Sequence, residues 1–237
     1  MTDAFRAGDP DAFEIAIRWI ADPDPVRDRP AGYGWSMGEL SLTVAGRPVT
    51  AATTPSGSAP AVRWYLAPVL GWLADEWESL LGEEAYPWPE AAETPAALAC
   101  GRALDRLLGA EDAADRALFA QAHDWYARHG LRNAAAGGIF PDLFMRRFRD
   151  AVEISWSGEP AFFAPDGLDI GGQPGCVRLA PEEVGAPMRQ ALRWAIENPP
   201  ADAALFPDGW TAFRRSLARV AEASPARHAR SGAHAPP

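Results

Sequence analysis

The chain has 237 residues, 48% hydrophobic and 23% charged, a balance that excludes wholesale disorder and suffices to bury a substantial core. A formal net charge of -10 makes long-range attraction to nucleic acid or to an anionic membrane unfavourable, so a protein partner or a small ligand is the expected binding class. All 22 residues in the Lys+Arg count are arginines, which excludes Schiff-base chemistry, a Walker-type phosphate contact and a nuclease lysine.

The first ten residues carry Asp3 and Asp9 without an apolar h-region, so no secretory signal is expected. Phe13, Ile15, Ile17 and Trp19 alternate with polar or small residues, the period of a strand with one buried face. A second strand is expected around Glu39 to Val44, with Gly46 turning the chain into a third near Val49. Thr53 to Pro60 reads as a loop by composition. From Leu66 the period changes: Val69, Leu70, Leu73, Trp77, Leu80 and Leu81 share one face of a helix, with Pro68 in its first turn. Thr94 and Pro95 read as the N-cap and first residue of a second helix to about Leu108. Glu111 and Asp112 open a third, with Trp125 and His129 near one face.

Beyond Gly130, Pro141 and Asp142 lead into a hairpin whose strands are Leu143 to Phe148 and Val152 to Trp156. Short strands are expected at Ala161 to Phe163 and Val177 to Leu179, flanking a glycine-rich loop from Gly167 to Gly175. Pro181 opens a helix to about Glu197, and Trp210, Phe213, Leu217 and Val220 mark a last one. The expected fold is α+β: an N-terminal antiparallel β-meander, three central helices, a β-hairpin and two C-terminal helices. It forms a single domain over residues 1–222, followed by a disordered tail over 223–237 that lacks an apolar period. No stretch is long and apolar enough to span a bilayer, and the expected location is the cytoplasm. Cys100 and Cys176 lack CxxC spacing and read as reduced, buried thiols.

Asp142 with Glu153 and Ser155 is the sharpest chemical constellation. A PD-(D/E)xK nuclease sets an Asp at the start of one strand and an acid-x-Lys on the next, so that two carboxylates hold Mg²⁺ and the lysine supports the attacking water. Here Ser155 stands at the lysine position. The favoured expectation is a hairpin with solvent-facing acids, no catalytic residue, no metal and no cofactor. The alternative is a degenerate Mg²⁺-dependent nuclease using Asp142, Glu153 and Ser155, with Asp142 and Glu153 as the metal ligands. His123 and His129 are six residues apart, about 120° around a helix, and do not jointly grip a metal; HExxH and GxSxG are absent. His228 and His234 fall in the tail.

Ten tryptophans are many for this length. Core packing accounts for most, while Trp72, Trp77 and Trp88 are candidates for an aromatic edge that binds a protein partner, rimmed by Asp75, Glu76, Glu83 and Glu84. The stretch Leu66 to Glu84, together with His123 to Ala134 and Gly138 to Trp156, resembles the region preceding the catalytic domain in some bacterial ImmA/IrrE-type metallopeptidase proteins. The resemblance covers residues 13–163 and rests on the tryptophan pattern, a helix-terminal His and a hairpin ending in Trp156. It implies an accessory or sensing module tied to bacterial stress response or antiviral (phage) defence. No zinc ligand carries over, because the HExxH that holds zinc in that family is missing.

Overall fold

The structure is a computed structural model that describes residues 4–24, 33–54, 57–59, 61–83, 93–100, 112–134, 140–157, 169–170 and 172–222. There are three antiparallel sheets, and two of them share a large core with the helices. The first sheet runs β1 (Phe5–Gly8), β2 (Phe13–Trp19), β3 (Met37–Val44) and β4 (Arg47–Pro48). Alternation sets its register: Phe13, Ile15 and Ile17 lie opposite Val44, Leu42 and Leu40, and all six side chains are buried. Ala45 and Gly46, both at positive φ (48° and 74°), make the tight turn into β4.

β1 was absent from the expected elements, because four residues, FRAG, carry no alternation to read. It pairs with β2 through a turn whose entry is Gly8 at φ +99°, where an added Cβ would lie 2.1 Å from the Phe13 carbonyl oxygen. Residues 53–60, expected as a loop, instead overlap β5 (Ala52–Thr54) and contain β6 (Gly57–Ala59), which form a small hairpin. The strand β7 (Val62–Tyr65) then returns to pair with the first half of β3.

The helix expected over Leu66 to Leu81 is two: α1 (Leu66–Asp75) and α2 (Trp77–Gly82), bent at Glu76. α1 lays Leu66, Val69, Leu70 and Leu73 on the core, and α2 turns toward the hairpin. A helix beginning at residue 96 (α3) follows, described to residue 100; its expected end near Leu108 lies outside the described residues. Asp112 caps α4 (Ala113–His129) by accepting the Asp115 N–H at 2.8 Å, and α5 (Leu131–Ala134) follows Gly130.

The hairpin forms as expected from β8 (Leu143–Phe148) and β9 (Ala151–Trp156), and β11 (Gly175–Leu179) adds to its far side. β10 (Asp169–Ile170) pairs with β5; the strand expected at Ala161 to Phe163 lies outside the described residues, as does the tail from residue 223. α6 (Pro181–Glu197) has the expected bounds, and α7 (Pro207–Ala221) contains Trp210, Phe213, Leu217 and Val220, the residues expected to mark the last helix. Val184, Met188, Ala191, Leu192 and Ala195 of α6 pack with Phe213, Leu217 and Val220 of α7 into the core.

One face of the β11-β9-β8 sheet, with Leu143, Met145, Val152, Ile154 and Trp156, joins that core. α3 and α4 cover the opposite face, where Phe144, Trp125, Cys100, Ala96 and Ala97 form a second, smaller core. The hairpin is therefore a buried middle layer. Among the described residues no helix is long and apolar enough to cross a membrane.

Candidate functional site

The face carrying Glu153 and Ser155 does not look to solvent. Glu153 is fully buried, and its register partners on the two flanking strands are Arg146 and Arg178. Its Oε1 accepts from Arg146 Nε at 3.0 Å and its Oε2 from Arg178 Nη2 at 3.1 Å, giving a cross-strand row of plus, minus, plus. Oε1 also accepts the Ala96 N–H at 3.0 Å, and Ser155 Oγ accepts the Ala97 N–H at 3.0 Å. These are the orphan donors at the start of α3.

The reason lies one residue from where the sequence places it. Ala99 N–H bonds to the Pro95 carbonyl, so Pro95 and not Thr94 occupies the cap position, and proline has no side-chain acceptor. Glu153 and Ser155 supply the cap from a different element. Phe148 closes the cluster, with the Arg178 guanidinium 3.5 Å above its ring centre.

Asp142 stands apart from this cluster. It precedes the Leu143–Trp156 pair and is four residues from Arg146, the partner of Glu153, which is about 13 Å of strand with Phe144 in between. Two carboxylates at that separation do not share one Mg²⁺, whose oxygen ligands lie at about 2.1 Å. The structure thus does not bring together the Asp142, Glu153 and Ser155 of the nuclease alternative. The solvent-facing acids expected there are corrected as well, because α3 and α4 cover that face and Glu153 is fully buried. Asp142 lies 3.9 Å from Arg132 and adds to burial in raising its neighbours. Burial first, then the Asp142 carboxylate, pushes the Cys100 thiol up to about 12 and the Tyr126 hydroxyl up to about 12. Burial likewise pushes the Cys176 thiol up to about 11, so neither cysteine is an activated nucleophile. Cys176 is exposed as a residue, against the expectation that both thiols are buried. No three His, Cys, Asp or Glu side chains converge as a metal site among the described residues.

His129 is a core residue. Its Nδ1 lies 2.7 Å from the Met145 carbonyl oxygen, its Nε2 is 3.4 Å from Glu83 Oε2, and the Trp125 indole stacks on it at 4.2 Å. Burial depresses its pKa below the ordinary histidine value although Met145 and Glu83 pull the other way, and the ring is neutral at pH 7. Glu83 also receives Arg128 at 2.9 Å, tying α4 to the end of α2.

The aromatic edge is corrected too. Trp72 and Trp77 are 8% and 3% exposed, with Trp72 Nε1–H donating to the Ala127 carbonyl at 3.1 Å. Both are core side chains and not an exposed edge. Trp88 lies outside the described residues.

Other tryptophans line a surface cleft of about 530 Å³, between the end of β2 and the end of α6. Its walls are Trp19, Ile20, Trp194, Glu197, Asn198 and the 199–202 segment. Trp194 stacks against Phe5 (5.4 Å, 16°) and against Trp19 (6.1 Å, 21°). Trp19 Nε1–H donates to the Asn198 carbonyl at 2.7 Å, which pins the strand end to the helix end. Sequence reasoning placed Trp19 on a strand face and Trp194 within a helix, but no spacing links residues 175 positions apart.

No protein-family model, curated protein or solved structure matches this chain.

Proposed function

We propose that the chain is a non-catalytic interaction module that docks a protein partner at the Trp19–Trp194 cleft. In keeping with the resemblance of residues 13–163 to the accessory region of ImmA/IrrE-type proteins, its role is to sense or recruit within a bacterial stress-response or antiviral defence system. The carrying observation is the cleft itself: two indoles that are only partly buried, set beside Glu197 and Asp202, neither of which forms an ion pair among the described residues. Partly exposed tryptophans in a concave setting are the residue type that anchors protein interfaces. Glu153, a residue of the alternative nuclease reading, is occupied by two arginines and a helix end.

Affinity capture from the native host tests the reading. The wild-type chain should retain one partner in stoichiometric amount, and Trp194→Leu, which keeps an apolar contact toward Phe5, should lose it. A chain that is recovered alone and sediments as a monomer with host extract overturns the proposal.

A further inference from the structure

Resting on that interaction reading, we infer that the cleft takes an arginine-bearing, extended segment of the partner. The charged groups lining the cleft are both carboxylates, Glu197 and Asp202, the latter accepting the Asp22 N–H at 3.4 Å through one oxygen, Oδ2. Three of its hydrogen-bond donors are spent within the chain. Trp19 Nε1–H goes to the Asn198 carbonyl, Asn198 Nδ2 donates to the Trp194 carbonyl at 3.0 Å, and the Ile20 N–H goes to the Met37 carbonyl at 3.0 Å. Pro199 and Pro200 bring no N–H at all. A ligand entering the cleft therefore meets carboxylates, carbonyl oxygens and indole faces, and has to bring donors and positive charge.

Arginine satisfies both demands. Its planar guanidinium stacks on an indole while its N–H fork reaches carboxylates, a combination that a lysine ammonium does not match. The cleft volume holds a few side chains and does not enclose a folded element, and the proline-stiffened 199–202 edge gives an extended chain a rigid wall to lie along. The net charge of -10 steers such a segment in.

The test is a titration of the full chain with acetyl-Pro-Arg-Pro-Arg-Pro-amide, following the indole N–H resonances assigned through Trp19→Phe and Trp194→Phe. Both resonances should shift together. Replacing arginine by citrulline, which keeps the shape and removes the charge, should weaken binding at least about tenfold, as should Glu197→Gln with Asp202→Asn. Equal binding of the citrulline peptide, indifference to the double substitution, or no shift at millimolar peptide overturns the inference. So does a dimer of this chain that seals the cleft and dissolves on Trp194→Leu. A partner captured through Trp194 but not displaced by the arginine peptide leaves the interaction reading standing and removes only the arginine.

Discussion

Removing the charge from Glu153 strands two guanidiniums at once, one of them, Arg146, nearly as buried as the carboxylate. Breaking a buried pair on one side costs about 3–5 kcal/mol, because the remaining ion stays desolvated. Glu153→Gln should lower stability by that amount in urea unfolding, while Arg146→Met combined with Glu153→Leu should cost less than the single change. Ser155→Ala removes only a neutral acceptor from the Ala97 N–H and should cost about 1 kcal/mol in the same measurement. His129 sets an acid limit. Its pKa is depressed on folding, so the unfolded chain takes up the proton first. The stability this represents is complete above the unfolded value of about 6.5 and falls as the pH drops through that value toward the folded one. Glu83 acts in the same direction at lower pH: burial alone would raise it, but the Arg128 hydrogen bonds and His129 hold it below its ordinary value. The urea midpoint should therefore fall between pH 7.5 and 5.5, and His129→Asn, which keeps a donor toward Met145, should flatten that slope even though its overall stability is lower.

At the scale of elements, the hydrophobic periods of α6, α7, β2 and β3 were sufficient to place them. Each has one apolar face and ends in its own signals, such as Pro181 with Glu183, whose carboxylate accepts the Ala180 N–H at 2.7 Å. Elements that depend on a distant partner were not legible. The cap of α3 comes from β9, more than fifty residues downstream, so a local search settles on Thr94. β5, β6 and β10 are two or three residues each, too short for a period, and exist through mutual pairing. β1 depends on a backbone conformation that glycine alone adopts readily. Gly8→Ala would both strain φ and collide with the Phe13 carbonyl, and should cost about 1–3 kcal/mol in chemical denaturation.

Across the whole molecule, the hairpin is a middle layer between two cores, and this decides which side chains are free to work. Side chains on both its faces are spent on packing, capping and ion pairing. Because Asp142 and Glu153 are held about 13 Å apart along the strands, millimolar Mg²⁺ should leave the melting temperature unchanged beyond the effect of matched ionic strength. A clear Mg²⁺-specific rise, abolished by Asp142→Asn, would show that the carboxylates do meet.

From residue order alone came the α+β class, the β-meander, the long helices and the hairpin, because each follows from a short-range hydrophobic period and from local stop signals. The same order determined that no lysine, HExxH or GxSxG chemistry is present. Tertiary structure alone decided that Glu153 and Ser155 cap a helix, that Trp72 and Trp77 are core, and that Trp19 and Trp194 share a cleft with Glu197 and Asp202. The physical reason is the same throughout. Burial and charge pairing are properties of what packs on a face, and the residues that pack there are separated by 50 to 180 positions of chain.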